Sequence, residues 1–187
     1  MSDKQRFPAS IAREVADELA AELAPCCERI AVAGSLRRGK PDVGDIEILF
    51  VPKIGLVRQP GELFPQKGSL ADDLLDRWLA KRVLTKRFNI NGSAAWGPLN
   101  KLAMHVASGI PVDLFATTTD RWFVSLVVRT GSKEMNTTLA NSALRRGMQL
   151  HAYGVLENTR TGEQIIPQSE REVFERLGVP YRKPAER

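Results

Sequence analysis

The stretch DIEILFV, Asp45 to Val51, constrains this chain more than any other. In a β-strand Ile46, Ile48 and Phe50 point one way, and Asp45, Glu47, Leu49 and Val51 the other. The first face is wholly apolar and belongs in a core. The second opens on two carboxylates, roughly 7 Å apart along the strand, before it too turns apolar. Residues PVDLF, 111–115, offer a third acid, Asp113, on a strand able to pair beside the first. Three carboxylates so placed repel one another unless a divalent cation neutralises them. Hard oxygen ligands favour magnesium, with manganese able to substitute. Taken alone, Asp-Ile-Glu is equally consistent with a solvated strand edge.

The residues ahead of the strand, GSLRRGKPDVG (34–44), shift that balance. Gly34-Ser35 closes a short apolar strand, RIAVAG, and opens a short helix whose free N–H groups suit a phosphate. Arg37 and Arg38 add positive charge, and Gly44 allows close approach next to Asp45. A phosphate cradle, an arginine and metal-binding carboxylates together describe phosphoryl transfer from a nucleotide. The net charge of +5 agrees with a polyanionic partner. With 187 residues the chain suits one compact domain or a small two-lobed unit. No apolar run approaches the roughly 20 residues of a membrane span, and there is no signal-peptide core, so no membrane partner and a cytoplasmic location are expected. Cys26 and Cys27 are adjacent, a poor arrangement for a disulfide, and two histidines without spaced cysteines exclude a zinc site.

Along the chain, Ile11, Val15, Leu19 and Leu23 recur at helical spacing, ending at Pro25. VPKIGLVRQPGELFPQKG (51–68) has the glycine and proline content of a loop. SLADDLLDRWLAKRV (69–83) is an amphipathic helix with Trp78 on its core side. KLAMHVA and PVDLFATT are strands joined at a Ser108-Gly109 turn. Beyond Thr119 the composition changes: a turn of helix, a Thr-Gly-Ser break, and a helix ending at Gly147. MQLHAYGVLEN and EQIIP follow as a hairpin about Thr161-Gly162. A last helix is capped by Ser169 with Glu172, and VPYRKPAER is an extended tail.

GSLRRGKPDVGDIEILF resembles the nucleotidyltransferase signature of family X DNA polymerases. The likeness runs from RFP at Arg6, through PVDLF and RTGSKEMNTTLANSALRRGMQLHAYGV, to the closing SEREVFERLGVPYRKPAER. It implies an α+β fold: a nucleotidyltransferase palm, a mixed sheet flanked by helices, over residues 1–120, and a small α+β nucleotide-binding lobe over 121–187. It implies that Asp45 and Glu47 bridge two magnesium ions, and that Asp113 completes the site and accepts the proton of the primer 3′-hydroxyl. Gly34, Ser35, Arg38, Gly44 and Arg6 would hold the triphosphate. Gly131 and Asn136 would lie against the sugar and base. Arg37 would be a solvated or DNA-facing neighbour.

The resemblance further implies a monomer acting on dNTP and on primer-template or gapped DNA. The implied activity is metal-dependent DNA synthesis, filling short gaps in repair, close to the nucleoid or, in a virus, in infected-cell cytoplasm. The implied form is minimal, without the amino-terminal lyase domain of larger relatives. Four positions depart from the family pattern. Glu47 stands for a second aspartate, and Pro111 for an arginine that orients the third. Val128-Arg129 replaces an aromatic pair at the sugar gate, leaving Arg129 long, flexible and able to contact phosphate. Ala140 replaces an arginine that presses on the template. That last change keeps a template-independent transferase open, and a degenerate DNA- or nucleotide-binding module is the reading from outside the enzymes.

Overall fold

A computed structural model describes residues 5–58, 63–88 and 92–187. The chain is a mixed α+β protein built on a five-stranded sheet. Strand β1 (Phe7–Pro8) pairs with β3 (Asp42–Val43), so the amino-terminal segment lies against the loop leading to Asp45. Helix α1 (Ala9–Leu23) buries Ala12, Val15, Ala16, Leu19 and Leu23, while Ile11 is exposed. The small alanines, rather than Ile11, complete its core stripe. Next come β2 (Cys27–Val32), the single-turn helix α2 (Gly34–Arg37) and β4 (Ile46–Pro52).

Sequence analysis expected a loop over residues 51–68. Instead β5 (Ile54–Val57) and β6 (Gln66–Ser69) form an antiparallel ribbon in which Gly55 faces Gly68. These glycines mark close approach, not a turn: a Cβ on Gly55 would sit 2.8 Å from Leu70 Cδ2 and one on Gly68 2.5 Å from Val57 Cγ2. The middle of that segment, residues 59–62, lies outside the described residues. Helix α3 (Leu70–Ala80) starts at Ser69, whose Oγ accepts from Asp72 N at 3.0 Å. Trp78 is buried in it, donating from Nε1 to Glu22 at 2.9 Å, as a core tryptophan should.

Strands β7 (Leu84–Lys86), β8 (Asn100–His105) and β9 (Pro111–Ala116) complete the sheet in the order β2-β4-β9-β8-β7. Ser108-Gly109 does join β8 to β9, with Gly109 at φ +68. Only β4 and β9 run parallel. One face of the sheet, carrying Ile46, Ile48, Phe50, Val112 and Leu114, is packed under α1 and α3. The opposite face carries Glu47 and Asp113 at one end and Leu49, Val51 and Phe115 beyond them.

Helix α4 (Trp122–Thr130) covers the apolar part of that second face with Trp122 and Leu126. Its other side, Val124 and Val127, packs with α5 (Lys133–Arg145) and α6 (Glu170–Arg176) in a second core around Leu139 and Phe174. The expected hairpin about Thr161-Gly162 joins β11 (Leu156–Asn158) to β12 (Gln164–Ile165), and β10 (Met148–Leu150) pairs with β11 as a third strand that was not expected. The extra turn falls at Gly154, at φ +84, where a Cβ would overlap the Ser125 side chain. Ser169 caps α6 as expected, and Glu172 accepts from Gln168 N at 2.8 Å. The tail ends in a turn of 3-10 helix, and Arg187 is buried. Among the described residues no helix is long and apolar enough to cross a membrane.

Leu126, with Trp122, fastens α4 to the sheet, so Leu126→Ala should destabilise the protein by about 2–4 kcal/mol. Urea unfolding followed by circular dichroism measures this. A loss below about 1 kcal/mol would mean that α4 is only loosely docked on the sheet.

Candidate active site

The site is set by the parallel pairing of β4 and β9. Glu47 is in register with Asp113, so the two carboxylates stand side by side on one face, roughly 4.8 Å apart between strands. Asp45 precedes the strand by one residue and carries its charge to the same end. Gly34 lies directly beneath Glu47. It adopts φ +60, and a Cβ there would fall inside the Glu47 carboxylate. Both the conformation and the space therefore require glycine. Ala33 N donates to Glu47 O at 2.8 Å, tying the entry to α2 to β4.

The electrostatics follow from this crowding. Burial, then the charges of Asp45 and Asp113, push Glu47 from 4.5 up to about 7, against the pull of Arg129 and Arg38. Arg129 is shifted down by its own burial, with Glu47 and Asp113 opposing. Its guanidinium lies 3.6 Å from the Phe115 ring centre. The expectation of a loose Arg129 is thus not met. The arginine is stacked on an aromatic face and its charge is spent on the carboxylates.

Next to Glu47 a cavity of about 510 Å³ is lined by Arg38, Arg129, Gly131, Lys133, Asn136 and Ala140, among others. Ser132 caps α5 by accepting from Met135 N at 3.1 Å, so the positive end of a 13-residue helix faces the same space. Gly131 and Asn136 meet in its wall, where a Cβ on Gly131 would collide with the Asn136 amide. Asn136 Nδ2 donates to Val128 O at 2.8 Å, and its Oδ1 is buried without a hydrogen-bond partner among the described residues. Arg38 Nη1 donates to the carbonyls of Thr130 and Gly131, each at 2.5 Å. Its Nε is buried with no such partner among the described residues. Arg38 therefore fixes the Thr-Gly-Ser turn while presenting charge to the cavity.

Gly34, Ser35 and Gly44 adjoin this cavity through the chain but do not line it. Arg6 is further removed: its Nε donates to Asp42 Oδ1 at 2.5 Å and its Nη2 to Asp42 O at 2.7 Å, on an exposed edge. Arg37 is not the solvated neighbour expected. Its guanidinium pairs with Glu170 at 2.5 and 3.1 Å and donates to Thr130 Oγ1 at 2.6 Å. Arg187, the last residue, reaches the same carboxylate at 2.7 Å. Burial alone would raise Glu170, but the hydrogen bonds and charges of Arg37 and Arg187 hold it below the usual carboxylate range. Such a contact, spanning |i−j| of 133 residues, leaves no local signal in sequence.

As donors for a divalent cation the three acids fit by chemistry: all oxygen, coupled, and strained by mutual repulsion. Among the described residues, however, no three His, Cys, Asp or Glu side chains are already gathered into a cage. Asp113 is instead engaged by Arg87, whose Nη2 donates to its Oδ1 at 2.8 Å. Arg87 and Lys133 are site residues that sequence reasoning missed. Lys133 was findable, since it follows the Thr-Gly-Ser turn directly. Arg87 was not, because it comes from two strands away.

A family model described as DNA polymerase beta thumb matches residues 125–187, from the middle of α4 to the end of the chain. That segment, about a third of the chain, is similar to the thumb of DNA polymerase beta. The chain is 28% identical to DNA polymerase lambda of Rattus norvegicus over 169 residues, which cover 82% of this chain and 28% of that protein. It is 27% identical to the DNA polymerase/3′-5′ exonuclease PolX of Bacillus subtilis (strain 168) over 183 residues, covering 96% of this chain and 28% of that protein. The chain thus spans well under half the length of either relative.

The raised Glu47 gives a stability signature. A carboxyl whose folded value lies above its unfolded 4.5 stabilises the protein fully below that pH, and the contribution is lost as pH rises to about 7. In chelator, Glu47→Gln should therefore match wild type near pH 4.5 and exceed it above pH 7, by at most about 3 kcal/mol. Urea melts of both proteins across that range test this; parallel curves would show that Glu47 ionises without strain.

Proposed function

We propose that this chain is a metal-dependent, DNA-directed DNA polymerase. In this reading it adds dNMP from dNTP to a primer 3′-hydroxyl and fills short gaps in DNA repair. Residues 1–120 act as the palm and 121–187 as the nucleotide-binding thumb. The observation that carries this reading is the in-register Glu47–Asp113 pair beside Asp45, opening onto a cavity walled by Arg38, Arg129 and Lys133. Acids at one end of a cavity and cations along its wall suit a triphosphate delivered to a metal site. The relationship to the two DNA polymerases supports the same conclusion.

Asp45, Glu47 and Asp113 would hold two magnesium ions, which when bound neutralise the carboxylates and the charge developing on the phosphates. Asp113 takes the proton from the attacking hydroxyl, being the acid on the strand next to Glu47. Arg38, Lys133 and the start of α5 draw the triphosphate into the cavity. Asn136, with its unsatisfied Oδ1, offers a polar contact to the sugar or base edge. Gly131, lacking a side chain, lets the nucleotide approach the backbone.

Primer extension on gapped, templated and single-stranded substrates with each dNTP tests the proposal. Asp113→Asn should lower insertion by at least about a hundredfold while leaving thermal stability near wild type. Incorporation that ignores the template base would instead favour a template-independent transferase. A specific feature keeps that alternative: Ala140 and Val128 line a side pocket of about 170 Å³ next to the main cavity.

The same pocket bears on sugar choice, since Val128 leaves room beside Asn136. Val128→Tyr should raise the dNTP-over-rNTP insertion ratio about tenfold, equivalent to roughly 1.4 kcal/mol. Single-nucleotide insertion with matched sugars reads it, and an unchanged ratio would place selection elsewhere. Arg129 should be left intact in this comparison, because it is committed to Phe115 and the carboxylates.

A further inference from the structure

Arg87 occupies the first position after β7, and its backbone N–H donates to Leu102 O at 2.9 Å. Leu102 is in register with Asp113, and Asp113 with Glu47. Arg87, Leu102, Asp113 and Glu47 therefore form one row across four strands, and residues in such a row share a face. Two strand spacings, roughly 10 Å, separate Arg87 from Asp113, so only a long side chain laid over Leu102 can close the gap. It does close, at 2.8 Å, with the Arg87 and Asp113 side chains only 30% and 15% exposed.

No same-face neighbour of Asp113 within the sheet supplies a cation. The same-face neighbours of Asp113 are Pro111 and Phe115 along its own strand and Leu102 and Glu47 across the sheet. Three of these carry no charge and the fourth is another acid. Arg129 stacks on the Phe115 ring and adds its charge to the field at Glu47 and Asp113 without a direct hydrogen bond to Asp113 among those described.

We propose that Arg87 is the positioning residue for Asp113: its guanidinium anchors one carboxylate oxygen and thereby fixes the direction from which Asp113 meets the primer hydroxyl. Reaching in from two strands away, it supplies the charge that Pro111, on Asp113's own strand, cannot. The inference rests on Asp113 being the proton acceptor, and the experiment separates the two ideas. Arg87→Met keeps the apolar stem over Leu102 and removes the charge. Arg87→Lys keeps the charge without the fork.

In single-turnover insertion, Arg87→Met should lower the maximal rate about 10- to 100-fold and leave the apparent Kd for dNTP within about threefold. Arg87→Lys should recover part of that rate, and millimolar guanidinium added to Arg87→Met should recover more than an equal concentration of sodium salt. A merely structural arginine would give neither the split between rate and affinity nor the rescue. Two further readouts need no turnover. Manganese binding to the Met variant, followed by the electron paramagnetic resonance of the free ion, should weaken about tenfold. Urea unfolding of Arg87→Met, Asp113→Asn and the double variant should be non-additive.

Unaltered insertion and manganese binding in Arg87→Met would overturn the proposal, as would additive unfolding energies. Full activity of Asp113→Asn would instead sink the assignment of Asp113 as acceptor. The unfolding cycle would then still decide whether Arg87 holds that carboxylate.

Discussion

Three negative charges at one end of a sheet are the condition to which the rest of this structure answers. Parallel, in-register pairing of β4 and β9 forces Glu47 against Asp113, and Asp45 adds to the same field. The cations that respond come from three different elements. Arg38 comes from the end of α2, Arg129 from the last turn of α4, and Arg87 from the residue beyond β7. None neutralises the group outright. Two are also bound elsewhere: Arg38 to the carbonyls of the Thr-Gly-Ser turn and Arg129 to the Phe115 ring. Glu47 accordingly stays raised, to about 7, even with these cations nearby.

A second group of charges joins the α2 segment to the far end of the chain. Glu170, at the start of α6, receives Arg37 from α2 and Arg187 from the terminus, while Arg37 also reaches Thr130. A buried ion pair of this kind adds little net stability, because desolvation offsets most of the attraction. Its effect is geometric. Arg37 and Arg38 are consecutive, so the pair that anchors α2 to α6 also sets where Arg38 meets the cavity. Loss of Glu170 would leave two arginines uncompensated, and the turn bearing Gly131 would lose one of its supports.

The site's ingredients were legible to the extent that they were local. Alternation in DIEILFV assigned Glu47 to one face and Ile46, Ile48 and Phe50 to the core. The Ser108-Gly109 turn brought β8 and β9 together, and Gly34 was singled out before its contact with Glu47 was known. Misreadings fell where short-range signals conflict with packing. Glycines in 51–68 suggested a loop, but Gly55 and Gly68 are there because Leu70 and Val57 press on them. Ile11 had the period of a core residue, yet Ala12 and Ala16 fill that space.

The sequence by itself determined the α+β character, the helices with their caps, and the acid-bearing strands, because periodicity and turn chemistry act over a few residues. It also carried, as motifs, the likeness to family X polymerases. Only the tertiary structure decided what the long side chains do. Arg37, expected to face solvent or DNA, is half-buried on Glu170. Arg129 was thought loose and is stacked on Phe115. Arg87 drew no notice and holds Asp113. An arginine reaches across neighbouring strands, and which strands are neighbours depends on sheet order and register. Those are fixed by burial of the whole apolar face at once, which no local window of residues contains.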